Sequence, residues 1–299
     1  MNINNINTVL STLRLPFVIL TPACVLLGLS TAVWSSADIN IFYFVLVLIG
    51  AVSAHISVNA FNEYFDFKSG LDSKTKRTPF SGGSGALQKK PELADWTLTI
   101  AITSFVITSL IGIFFIFTKG FLILPLGIAG LVIIALYTNH LTRNPVLCLI
   151  APGLGFGTFM VMGTHFVLTG AYSWTAFLVS LIPFFLVSNL LLLNQFPDVE
   201  ADRTVGRKHF PILIGKRASS LIYGVFILMP FIAIFISVNL GCLPYATLIG
   251  LFALITAVPA AIGAYRHANE SGRLLSYMGL NVLTNLLTPV LVSIGLLVG

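Results

Sequence analysis

The chain has 299 residues, of which 57% are hydrophobic and only 9% charged, with a mean hydropathy of +0.97. A soluble domain carries about 25% charged residues, so this composition excludes one and predicts an integral membrane protein. The net charge of +6 belongs to membrane topology and implies no nucleic-acid partner, because cytoplasmic loops of membrane proteins gather Lys and Arg.

The first apolar run starts after Arg14, the first basic residue, and is span-length, unlike a signal peptide. Nine spans are predicted in chain order: 15–34, 41–61, 95–117, 120–138, 145–169, 174–196, 217–238, 244–265 and 274–298. Such runs are too long for strands, and several contain proline, which a membrane bundle tolerates when neighbours satisfy the freed carbonyls. The expected fold is an all-α bundle in one domain, 1–299, with two parallel four-helix halves plus a ninth helix. Cys24, Cys148 and Cys242 lie far apart within apolar runs, without a CxxC or Cys/His ligand spacing, and read as fillers.

The loops between spans separate by charge. With the N-terminus inside, fifteen of the sixteen Lys and Arg fall on the inner side, and only Lys119 lies outside. This predicts a multi-pass protein of the cytoplasmic (inner) membrane, N-terminus in and C-terminus out. Nine of the ten acids share that inner side, Asp38 being the exception. The positive-inside rule does not require it, since acids contribute little to orientation.

Two inner loops, 62–94 and 197–216, are large, and each opens on an Asn–Asp motif after an even-numbered span. The second reads "NQFPDVEAD". Asn194, Asp198 and Asp202 recur at intervals of four, which on one helix places them on a shared face. The first reads "NEYFDFKSGLD". Asn62 and Asp66 are again four apart, but Asp72 comes six later, after Gly70. The helix is therefore expected to stop near Ser69–Gly70, with the loop folding Asp72 back toward Asp66.

Oxygen ligands gathered at a bundle's mouth suit a hard divalent cation such as Mg²⁺, which keeps substrate phosphates in its shell. Asn62, Asp66, Asp72, Asn194, Asp198 and Asp202 are the candidate metal ligands, for two Mg²⁺ ions. Lys68, Lys74, Lys76 and Arg77 flank the first set, and Arg203, Arg207 and Lys208 the second. Of these, Lys68, Arg77, Arg203 and Lys208 are taken as candidates for binding a diphosphate. Glu63 and Glu200 lie off the motif faces and are weaker candidates. "SGGSG" at 81–85 lacks the P-loop pattern and reads as either a lid-like segment or a linker.

These motifs resemble those of UbiA-type membrane prenyltransferases. The resemblance covers nearly the whole chain: nine spans, "NEYFDFKSGLD" after the second and "NQFPDVEADRTVGRKHFPILIG" after the sixth. It implies Mg²⁺-dependent transfer of an isoprenyl chain from an isoprenyl diphosphate to an acceptor, often aromatic, at the inner face of the bilayer. The Asp66-to-Asp72 spacing and "GLGFGTFMVMGTHFVLTG" at 153–170 look like the branch that acts on 1,4-dihydroxy-2-naphthoate. Asp66, Asp72, Asp198, Asp202 and Tyr137 are then the expected catalytic residues, and Arg14 would hold an acceptor carboxylate or phosphate. Thr78–Pro79, His209–Phe210 and "FSGGSG" depart from the usual pattern.

Two rivals remain at this point. The same site could serve terpene cyclisation, or prenyl transfer to haem or a glycerol phosphate lipid. A secondary transporter would instead use intramembrane titratable groups such as His55 and His165. Donor length, acceptor and oligomeric state are not read from the sequence.

Overall fold

A computed structural model describes residues 3–299, in which every regular element is helical. A short helix, α1 (Ile3–Thr12), precedes the bundle. Eight helices are long and apolar enough to cross a membrane. They are α2 (Leu15–Trp34), α3 (Ile41–Lys68), α4 (Pro91–Lys119), α6 (Pro145–Thr169), α7 (Trp174–Asn194), α8 (Lys216–Asn239), α9 (Tyr245–Arg266) and α10 (Ser271–Val298). Between α4 and α6 runs a shorter apolar helix, α5 (Phe121–Leu136).

These segments form helices because no water in the hydrocarbon satisfies an open backbone. Side chains such as Phe117, Trp174 and Ile255 are more than 70% exposed and form a lipid-facing surface. The main core lies between α2, α6, α7, α8, α9 and α10, around Leu27, Leu186, Tyr223, Ile227 and Leu274. α5 is different: of its residues only Ile123, near its start, is buried.

Small residues let neighbouring backbones touch. A Cβ on Gly157 of α6 would sit 2.4 Å from the Phe184 backbone nitrogen of α7. This close approach occurs in a π-helical stretch, Leu154–Phe159, just after Pro152. Wide turns of that kind concentrate at functional sites, and here the turn aims Phe156 and Phe159 toward the interior cavity described below.

The structure departs from the predicted elements at both motifs. α3 runs on to Lys68 rather than ending at 61, so Asn62 and Asp66 stand on the last turns of the helix itself. It stops where expected, with Ser69 as its cap and Gly70 at φ 72°. The second motif is not one continuous helix. α7 ends at Asn194, a turn carries Gln195 to Asp198, and a new helix covers Val199–Thr204. Pro197 explains the break, since proline disfavours helical geometry in the residue before it and has no N–H to donate.

The α6–α7 contact yields a test. Gly157→Val is expected to lower the thermal unfolding midpoint in detergent, by overpacking of about 1–3 kcal/mol. Gly224→Val, where a Cβ meets nothing within 4 Å, is expected to leave the midpoint nearly unchanged.

Candidate functional site

All six motif residues, Asn62, Asp66, Asp72, Asn194, Asp198 and Asp202, line one polar cavity of about 100 Å³. Arg14, Tyr137, Arg207 and His209 line it too. The broken second motif still converges because the turn is itself hydrogen-bonded: Asp198 N–H donates to the Gln195 carbonyl (3.2 Å) and Asp202 N–H to that of Asp198 (2.9 Å).

Charge balance organises the cavity. Arg207 bridges the motifs, donating from Nη2 to Asp66 Oδ1 and from Nη1 to Asp202 Oδ1, the latter at 2.8 Å. His209 Nε2 lies 2.9 Å from the other oxygen of Asp202. Burial opposes the charge on Arg207, but Asp66 and Asp202 outweigh it and hold the guanidinium protonated beyond its ordinary range.

The remaining motif carboxylates, Asp198 and Asp72, have no ion-pair partner among the described residues. Burial, then the negative charge of Asp202, pushes the Asp198 carboxyl up to about 7. Burial, with the charges of Glu63 and Asp66, pushes Asp72 up to about 6. Carboxyls raised in this way have too little positive charge near them.

Glu63 is buried and belongs to the framework of the site. Its carboxylate accepts Arg14 Nε (2.8 Å), Ser84 N–H (2.7 Å) and Ser84 Oγ (2.8 Å). The Gly-rich segment is therefore fastened down. Ser81 Oγ also donates to Asp198 Oδ1 at 3.3 Å, so the loop bridges α3 and the second motif. At Gly83, with φ of 70°, a Cβ would lie 2.7 Å from Asp72 Oδ1. Only glycine lets the loop backbone pass so close to that carboxylate.

Four of the basic candidates stand apart from the cavity. Lys68, Arg77, Arg203 and Lys208 are all exposed. Lys68 Nζ sits 5.5 Å from the Tyr64 ring centroid. Arg77 donates to Gln88 Oε1 (2.9 Å), and Gln88 Nε2 donates to Asp72 (3.0 Å), so Arg77 reaches the site only through Gln88. Arg203 follows Asp202 directly on a helix and so points about 100° away from it. Lys208 contributes its backbone N–H to the Thr142 carbonyl (2.9 Å). The cations that do enter are Arg14 and, outside the four diphosphate candidates, Arg207. Its signal was Gly206, a left-handed turn that brings the next residue back over Asp202.

The donor set suits a hard cation. Asn194 Oδ1 is buried without a hydrogen-bond partner and faces the same cavity as four carboxylates. Among the described residues no three His, Cys, Asp or Glu stand close enough to grip an ion as they are. Arg207 supplies the positive charge between the two motifs instead.

Tyr137 and Leu191 also line a second, larger cavity of about 390 Å³, walled by apolar side chains of α3, α4, α5 and α6. A third, of about 100 Å³, shares Arg14, Phe80 and Asn194 with the polar cavity and adds Phe17 and Phe156. His55 and His165 bond to Thr21 and Thr31, at 2.8 and 3.0 Å, as satisfied interior histidines.

The UbiA prenyltransferase family matches residues 21–297. The chain is 27% identical over 289 residues to a 1,4-dihydroxy-2-naphthoate octaprenyltransferase of Bacillus subtilis (strain 168), covering 92% of this chain and 87% of that one. Among solved structures it resembles the apo form of a UbiA homologue from Aeropyrum pernix K1, with TM-score 0.72 and 16% identity over 94% of this chain and 97% of that one. It also resembles a UbiA homologue from Archaeoglobus fulgidus bound to DMAPP and Mg²⁺, with TM-score 0.57 and 14% identity over 96% and 99%.

The bridge across the motifs predicts a stability effect. Arg207→Met leaves Asp66 and Asp202 buried without their shared partner, at a cost of about 3 kcal/mol. The thermal midpoint in detergent is expected to fall accordingly.

Proposed function

The chain belongs to the UbiA prenyltransferase family, and from that premise we propose that it transfers an isoprenyl chain from an isoprenyl diphosphate to an aromatic quinone precursor of the 1,4-dihydroxy-2-naphthoate kind. The observation that carries this is the convergence of both Asn–Asp motifs on one polar cavity that adjoins two apolar ones. The naphthoate relative supports the acceptor class, and the Archaeoglobus homologue, titled as bound to DMAPP and Mg²⁺, supports the donor class and the cofactor. We place the polar cavity at the cytoplasmic side, following the distribution of Lys and Arg.

Asn62, Asp66, Asp72, Asn194, Asp198 and Asp202 are the residues that would hold Mg²⁺, which when bound neutralises charge on the leaving diphosphate. The protein's own groups do the rest. Arg207, released in part from Asp66 and Asp202, is aimed at the same anion and strengthens its hold as the allylic C–O bond breaks. Arg14 spends Nε on Glu63, leaving its Nη groups to orient a carboxylate on the acceptor.

The allylic cation must meet an electron-rich ring carbon before it meets water, and that carbon then sheds its proton, or its carboxyl group as CO₂, so that the ring regains aromaticity. Tyr137, at the seam between the polar and apolar cavities, offers its ring face to that charge. Phe17, Phe80 and Phe156 around the third cavity suit a flat acceptor and exclude water. Lys68, Arg77, Arg203 and Lys208 are left to the approach of the anion rather than to its grip.

The test is direct. Asp66→Ala and Asp198→Ala are each expected to reduce prenyl transfer at least about a hundred-fold, with labelled isoprenyl diphosphate, 1,4-dihydroxy-2-naphthoate and Mg²⁺ in nanodiscs. Both proteins are expected to insert and purify normally. Full activity in either would remove the site, and activity only with a different acceptor would change the acceptor class alone.

A further inference from the structure

The third cavity has a charged end and an inner end. Arg14, Phe80, Leu191 and Asn194 line both it and the polar cavity, whereas Asn285 of α10 and Val187 of α7 line it alone. Along α7 it extends from Asn194 to Val187, about 10 Å at the helical rise, long enough for a fused two-ring aromatic. We infer that Asn285 is a specificity-determining residue at the inner end. Its Oδ1 accepts a hydrogen bond from the acceptor hydroxyl that is not beside the carboxylate. This rests on the reading of the acceptor as a dihydroxynaphthoate.

The state of the amide points to a ligand. Asn285 is 1% exposed, and its Oδ1 has no hydrogen-bond partner. The orientation is fixed through the other end of the group: Nδ2 donates to the Asn281 carbonyl at 2.9 Å and to Asn281 Oδ1 at 3.3 Å. Turning the amide over would set its oxygen against both of those acceptors. The unused atom is therefore an acceptor, which calls for an O–H or N–H. An orphaned amide oxygen costs stability that an apolar side chain of similar size would not.

The place of Asn285 separates it from the other orphans. Ser188 Oγ, Asn189 Oδ1 and Tyr223 Oη are also buried without partners, but those residues line none of the three cavities. Asn194 and His209 belong to the polar site. Val282, Asn285 and Leu286 share one face of α10 and line the third cavity together.

The other polar side chains of this cavity make its two ends different in kind. Arg14 gives Nε to Glu63 and has only donors left, while His55 Nδ1 is bonded to Thr21. A carboxylate therefore belongs at Arg14 and a hydroxyl at Asn285. In 1,4-dihydroxy-2-naphthoate the 1-hydroxyl sits beside the carboxylate and bonds to it internally. The 4-hydroxyl has no such neighbour and needs a partner once it leaves water. Held by Arg14 and Asn285, the ring presents the edge between its carboxylate and its 4-hydroxyl in one orientation. A hydroxyl that donates to Oδ1 also enriches the ring carbon next to it for attack on the isoprenyl cation.

The experiment measures binding of 1,4-dihydroxy-2-naphthoate and of 1-hydroxy-2-naphthoate, which lacks the 4-hydroxyl, to wild type and Asn285→Leu. The protein is in nanodiscs with Mg²⁺ and a non-reactive isoprenyl thiolodiphosphate. Wild type is expected to bind the dihydroxy compound at least about ten-fold more tightly, because the analogue leaves Oδ1 unpaired. Asn285→Leu is expected to bring the two compounds within about two-fold of each other, and to bind the thiolodiphosphate as wild type does. A wild type that does not distinguish the two compounds overturns the inference, whether or not the variant folds. A variant that keeps the preference, or that weakens both compounds equally, overturns it as well. A wild type that binds the thiolodiphosphate but neither naphthoate overturns the dihydroxynaphthoate reading first, and this inference with it.

Discussion

Buried negative charge at the mouth of an apolar bundle is the constraint on which the rest of the structure depends. Asp66, Asp72, Asp202 and Glu63 are each under 9% exposed, and Asp198 lies among them. Such a group is stable only with countercharge or proton uptake. Arg207 answers for Asp66 and Asp202, and Arg14 with Ser84 answers for Glu63. Asp72 and Asp198 stay short of positive charge and are raised toward neutrality. A site left short of positive charge at rest is ready for divalent ions carrying a polyanion.

The same pairs also join the two motifs. Arg207 ties the second motif to α3, and the Gly-rich loop ties Glu63 on α3 to Asp198 through Ser84 and Ser81. The electrostatics that prepare the site thus close the bundle at that end. Away from it the design changes: the apolar cavities begin at Tyr137, Leu191, Asn194 and Phe80, where charged lining gives way to rings and aliphatic side chains. A substrate with one charged end and one apolar end matches that boundary.

Much of this was legible from residue order. Hydrophobic runs long enough to span a bilayer located the helices within a few residues, α3's extension to Lys68 apart, because lipid permits little else. The stop at Gly70 and the return of Asp72 followed from spacing and one glycine. The second motif is not straight because Pro197 breaks the helix that the interval of four suggests. The basic residues are hard to read for a different reason. Sequence marks many cations at that end, but which one turns inward depends on the helix phase of Arg203 and the Gly206 turn before Arg207. The framework role of Glu63 is hidden in the sequence because its partners, Arg14 and Ser84, come from distant segments. The larger apolar cavity was unreadable, since it is made from four helices and the missing side chains of glycines.

The central claim is that both motifs serve one shared cation site. Its most direct test is anomalous diffraction from crystals grown with Mn²⁺ and a non-reactive isoprenyl thiolodiphosphate. The account predicts Mn²⁺ peaks lying between the Asp66–Asp72 and Asp198–Asp202 carboxylates, with diphosphate oxygens in their coordination. Peaks confined to one motif, or found outside the cavity while both motifs stay bridged by Arg207 alone, would contradict it.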